Sequence, residues 1–201
     1  MAAPAIEPNS SFDPLVELNG LWTPELADRY LPIPGMPPAK YECLDGKLIM
    51  SPREGTANMF AVWTLGKRLE RAAAESGFLF YLTVSLQLDV KRWMEPDFAV
   101  LTRPGRGRTW IPANEALLVG ECVSPSSERR DKIDKSALCA ESAIPYFMRV
   151  EVSYTGQRVD VELLRLEDGE YKRQATARNG QTFETELPFP LSLDPAELLE
   201  P

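Results

Sequence analysis

From Phe78 to Val90 apolar and polar positions alternate: Leu82, Val84, Leu86 and Leu88 fall on one side, Thr83, Ser85, Gln87 and Asp89 on the other. A period of two predicts a single half-buried β-strand over this run. Just upstream the period changes. Ala61, Val62, Leu65, Leu69 and Ala72–Ala73 recur at helical spacing, which predicts a long helix after Ser51-Pro52, stopped by Gly77. Before that, the short runs 41–44 and 47–50 flank Asp45-Gly46, the mark of two strands joined by a tight turn. Thr23 and Pro24 suit the cap and first position of a short helix, Glu25 favours its positive end, and the proline-rich stretch 31–38 is a stiff connector.

Downstream, Pro96-Asp97 precedes a short apolar strand, Phe98–Leu101, and residues 103–109 form an exposed basic loop. Residues 117–123 are apolar on both faces apart from Glu121, the pattern of a central strand. Ser124–Ser127 precede a helix expected over 128–142. Strands are expected at 146–152, 158–166 and 170–177, and a short closing helix after Leu193-Asp194-Pro195. Residues 1–20, rich in Pro, Ser and Ala, read as a loose arm, and 21–201 as a single α/β (α+β) domain without internal repeats.

With 44% hydrophobic and 26% charged residues the composition is that of a globular protein. No apolar run is long enough to span a bilayer, and the first residues lack a secretory signal pattern, so a cytoplasmic location without membrane contact is expected. Cys43, Cys122 and Cys139 form no CxxC pair and are expected as buried thiols. Trp63, in the long helix, is expected to pack rather than to stack on a base.

The absence of histidine excludes Ser-His-Asp and Cys-His nucleophiles and histidine metal sites. Any metal would be held mainly by oxygen, which favours Mg²⁺ or Mn²⁺. A net charge of −8 counts against a general nucleic-acid binder, although a local basic patch can serve a nuclease.

Glu121 is the first chemical anomaly, since a carboxylate in a buried strand needs a cation beside it. Asp97 opens the strand before it, so adjacent strands would offer two carboxylates to a hard cation, with the Cys122 backbone carbonyl and waters completing the shell. Lys135 follows Asp131 by four residues on one helix face. It can position a metal-bound water, take its proton or stabilise charge on a scissile phosphate. Each residue has a plainer reading: an ion pair for Glu121, a turn for Asp97, an exposed i,i+4 pair for Lys135. Arg103, Arg106 and Arg108 could contact phosphates or simply form a solvated loop.

Taken in order, Tyr41-Glu42 with Asp45-Gly46, Ser51-Pro52 before a helix, Pro96-Asp97, the run Val119–Ser124, Asp131 with Lys135, and Ile144–Met148 resemble the Uma2 family (DUF820) of the PD-(D/E)XK nuclease superfamily. The resemblance covers residues 20–200. It implies a restriction-endonuclease-like mixed β-sheet flanked by helices and a metal-dependent endonuclease acting on DNA. It also implies metal ligation by Asp97 and Glu121, a contribution from Glu42, and supporting roles for Ser124 and Asp131. The superfamily's lysine would fall at Val123, and Lys135 takes its place. Asn58 stands where the family has histidine, and Lys47 where it often has an acid. These departures favour an alternative: an inactive nuclease-fold protein with an interaction or structural role, open to homodimerisation. A further alternative makes the carboxylates a structural ion-pair network.

Overall fold

The computed structural model describes residues 12–51, 54–123 and 128–201, with side chains throughout except at 128–134. The chain begins with α1 (Pro14–Glu17) and α2 (Pro24–Tyr30), followed by the hairpin β1 (Lys40–Leu44) and β2 (Lys47–Ser51). Next come α3 (Thr56–Glu75), β3 (Leu79–Leu82), β4 (Ser85–Asp89), β5 (Arg92–Met94), β6 (Phe98–Leu101) and β7 (Trp110–Pro112). β8 (Ala116–Val123), α4 (Glu128–Glu141), β9 (Tyr146–Ser153), β10 (Arg158–Glu167), β11 (Glu170–Arg178), β12 (Phe183–Thr185) and β13 (Leu191–Leu193) complete the chain, before a 3₁₀ turn over Pro195–Leu198.

Local chemistry explains the early elements. Thr23 accepts a hydrogen bond from the Leu26 N–H, and Pro24 fills the first helical position of α2. Asp45 and Gly46 both have positive φ, 52° and 76°, which suits the tight turn that joins β1 to β2. A Cβ on Gly46 would lie 2.4 Å from the Gly20 carbonyl oxygen, so the turn also needs glycine for space. Residues 12–20 are more than an arm: Asp13 caps α1, and Leu15 and Leu18 pack beside Trp22, Tyr41 and Trp93. The remainder of the expected arm, residues 1–11, lies outside the described residues.

The strands form a mixed five-stranded sheet, β2-β1-β5-β4-β7, a mixed six-stranded sheet, β11-β10-β9-β8-β6-β3, and the small pair β12-β13. Within the large sheet β8 runs parallel to β9 and antiparallel to β6. One face carries Phe98, Val100, Leu118, Met148, Val161 and Leu163 against Ala61, Leu65 and Leu69 of α3. The opposite face carries Ala99, Val119 and Phe147 against Leu86, Met94 and Ile111 of the five-stranded sheet and Cys139 of α4. The architecture is the expected mixed α/β fold with helices flanking a sheet.

Two sequence expectations need correction. The alternating run Phe78–Val90 is two strands in different sheets, β3 and β4. The chain turns at Thr83, whose φ is 46° and whose N–H bonds to the Asp97 carbonyl. β4 keeps the period of two, whereas β3 is a continuous apolar run, Leu79–Leu82, whose last residue is 41% exposed. Trp63 is 60% exposed on α3, whose buried side is supplied by Ala61, Leu65 and Leu69. The three cysteines are buried free thiols, as expected.

Candidate functional site

The chain passes from one large sheet to the other through Glu95, Pro96 and Asp97, between β5 and β6. Asp97 stands at a bend, while along a strand side chains alternate between two faces. On β1 the same rule places Lys40 and Glu42 together, while Tyr41 and Cys43 face the tryptophan cluster. Phe98 pairs with Gly120 in the register of β6 and β8, and one step further sets Asp97 beside Glu121. The close approach depends on glycine, because a Cβ at position 120 would lie 1.9 Å from the Phe98 ring.

These segments bring Glu42, Asp97, Glu121 and Lys135 together, all buried or nearly so. Lys135 Nζ donates to Glu121 Oε1 at 3.0 Å and lies 3.1 Å from Glu42 Oε1. The same Glu42 oxygen accepts the Glu95 N–H at 3.0 Å. Asp97 Oδ2 accepts the Cys122 N–H at 2.8 Å, and its Oδ1 takes an ion pair from Lys40. The Cys122 carbonyl accepts Asn58 Nδ2 at 3.3 Å, and the same amide nitrogen donates to Glu54 at 2.9 Å. That carbonyl keeps a second lone pair.

The electrostatics follow from four carboxylates and two ammonium groups in a space mostly closed to water. Burial, with the Asp97 and Glu42 charges adding to it, pushes the Glu121 carboxyl up to about 8 despite the opposing pull of Lys135. Burial and the Glu42 charge likewise raise Glu95. Burial would lower the Lys135 ammonium, but Glu121 and Glu42 overcome it and hold the group well above its usual range. Lys40 behaves alike: burial opposes its charge, and Asp97 more than restores it.

Among the described residues no three His, Cys, Asp or Glu side chains are grouped as a ready-made metal cage. What the site offers is two adjacent carboxylates and a backbone carbonyl, an all-oxygen set that suits a hard divalent cation supplemented by water. Lys40 and Lys135 already bind the acidic oxygens of this set.

Sequence reasoning missed Lys40 and Glu95. Lys40 was legible from its place two residues before Glu42 on a strand, whereas Glu95 stands outside any strand. Ser124 lies outside the described residues, as does the side chain of Asp131. Arg103, Arg106 and Arg108 follow the far end of β6, on the order of 14 Å along the strand from Asp97. There Arg108 grips buried Glu115 with two nitrogens, at 2.6 and 2.9 Å, and Arg103 lies 3.8 Å from the same carboxylate.

Residues 27–196 match the Uma2 family profile, described as "Putative restriction endonuclease". Among solved structures, the chain resembles one from Anabaena variabilis described as "a putative nuclease belonging to DUF820". The two are 17% identical with a TM-score of 0.59, and the match covers 85% of this chain and 95% of that one, a likeness of fold. No curated protein matches the chain. Among the described residues no helix is long and apolar enough to cross a membrane.

Proposed function

Because this chain belongs to the Uma2 family, we propose that it is a metal-dependent endonuclease hydrolysing DNA phosphodiester bonds, with Asp97, Glu121 and Lys135 at its centre. The observation that carries this reading is a charge deficit. Among the described residues Glu42, Glu95, Asp97 and Glu121 formally bring four negative charges to the junction of the two sheets, and Lys40 and Lys135 return two positive ones. Burial, with the neighbouring carboxylates adding to it, raises the Glu121 and Glu95 carboxyls in the metal-free site. One divalent cation, Mg²⁺ or Mn²⁺, matches it in charge and in donor type.

Asp97, Glu121 and the Cys122 carbonyl would hold the cation. When bound it would polarise a phosphoryl oxygen and make its own water more acidic. Asp97 is aimed for this by the Cys122 N–H, which fixes one carboxylate oxygen. Glu42 orients Lys135, and Lys135 stays protonated between its two carboxylates. A lysine held so firmly as a cation suits charge stabilisation on a scissile phosphate, or donation of a proton to the leaving oxygen, better than service as a base. Asn58 anchors the Cys122 carbonyl from the α3 side, in the place where the family has histidine.

A second reading keeps the fold without the activity. It draws on the net charge of −8 and on Arg103 and Arg108, which are engaged by Glu115 rather than free for phosphate. Calorimetric titration of Mn²⁺ into wild type and Asp97→Ala, followed by nicking of supercoiled plasmid in Mg²⁺ or Mn²⁺, separates the two. Binding lost in Asp97→Ala, with nicking lost in Lys135→Met, is expected. Binding without nicking on any DNA form would favour the inactive relative. Wild type that binds no metal, with or without DNA, would sink the endonuclease reading.

A further inference from the structure

The two lysines of the site are not equivalent. Lys135 is tied to two carboxylates from two different sheets and is 12% exposed. Among the described residues Lys40 forms an ion pair only with Asp97, and it is 19% exposed. The Asp97 carboxylate is fully engaged: the backbone of Cys122 fixes Oδ2, and the Lys40 ammonium covers Oδ1. Oδ1 is therefore the oxygen held by a partly exposed side chain, and that side chain carries positive charge, as a cation would.

We propose that Lys40 is a built-in counter-ion: it occupies the cation-facing oxygen of Asp97 in the metal-free protein, must leave that oxygen when a divalent cation binds, and so sets the cation affinity of the site. This rests on the metal-site reading above. An ammonium and a divalent cation on one carboxylate oxygen repel strongly in a site shielded from water. The lysine stem is long enough to carry its charged end outward to solvent while its methylenes stay packed. Lys135 has no such freedom, because withdrawing it would leave two buried carboxylates bare. The role of Lys40 is thus one of positioning and competition, and it keeps Asp97 pre-aimed until the cation arrives.

Mn²⁺ titration by calorimetry of wild type, Lys40→Met and Lys40→Gln at one pH tests this, with Asp97→Ala as the control for the site. Both Lys40 variants are expected to bind Mn²⁺ at least about tenfold more tightly than wild type. Their metal-free melting temperatures are expected to fall, and to rise more than that of wild type on adding Mn²⁺. Lys40→Gln, which keeps a hydrogen-bond donor for Asp97, guards against a Met variant that folds poorly. Equal or weaker Mn²⁺ binding by the folded variants, with binding still abolished in Asp97→Ala, overturns the counter-ion role and leaves the metal site standing. Absence of binding in wild type and in both Lys40 variants removes the metal site itself, and the counter-ion role with it.

Discussion

Replacing Gly120 by alanine tests whether the pairing of the two carboxylate strands depends on one absent methyl group. The Phe98 ring lies across position 120, with three of its carbons 1.9, 2.0 and 2.5 Å from where a Cβ would sit. Carbon atoms in contact prefer about 3.5–4.0 Å, so the ring must retreat by roughly 1.5–2 Å. Phe98 is fully buried and touches Phe80, with α3 packed over the same face of the sheet, which leaves little room to move. Overpacking of this kind costs about 1–3 kcal/mol and occasionally more, and the geometry here points to the upper end. For a domain of this size, about 3 kcal/mol corresponds to a fall in melting temperature of roughly 6–12 °C. Because Asp97 follows in register from the Phe98–Gly120 pair, Gly120→Ala should also weaken Mn²⁺ binding. Phe98→Leu in the same chain makes room for the methyl, so the double variant should be less damaged than the sum of the two singles. Differential scanning calorimetry of the four proteins gives the cycle. A Gly120→Ala protein that melts within about 2 °C of wild type and binds Mn²⁺ normally would refute the reasoning.

Two further perturbations probe the charged groups. Lys135→Met leaves Glu42 and Glu121 buried without their ammonium, which should cost about 3–5 kcal/mol near pH 8. The loss should shrink near pH 5, below the raised value of about 8 at Glu121, where that carboxyl holds a proton; urea denaturation at both pH values that gave the same loss would contradict this. Arg108 holds the Glu115 carboxyl below its ordinary value through hydrogen bonds, so this pair contributes stability above pH 4.5 that is lost as the pH falls through the lowered value. Arg108→Ala should lower the melting temperature at neutral pH and flatten the acid side of the stability profile without changing plasmid nicking. Weakened DNA binding with unchanged stability would instead make Arg108 a phosphate contact.

Much of the fold was legible because its signals are local. Thr23 with Pro24, the Asp45-Gly46 turn, Gly77 and the helical period of α3 depend on neighbours within a few residues. The strands β6, β8, β9, β10 and β11 announce themselves by apolar content or alternation. What stayed hidden depends on partners far along the chain. The alternation of Leu82–Asp89 runs straight through the break at Thr83, and nothing within thirteen residues tells which half joins which sheet. β5, β7, β12 and β13, three residues each, are too short to show a period. Trp63 shows that helical position and apolarity do not settle burial: α3 fills its inner face with smaller residues and leaves the indole outside.

The candidate site was half legible for the same reason. Asp97 and Glu121 stand out as acids in apolar strands, and each can be found without knowing the other. Lys135 is different, since its sequence neighbours suggest only an exposed helix pair. Its role becomes visible when the two sheets are seen to meet. A lysine at position 123 would point from the same strand face as Glu121, about 7 Å along the same strand, and would answer to that sheet alone. Val123 instead packs as a buried apolar residue. Lys135, arriving from α4, reaches Glu121 on the six-stranded sheet and Glu42 on the five-stranded one. An ammonium carried on the helix is therefore a tie between the two sheets. It also brings Glu42 into the cluster, because the shared lysine is what offsets its burial beside Glu121. Position 123 thus serves the core, and the helix that follows supplies the ammonium that meets Glu121.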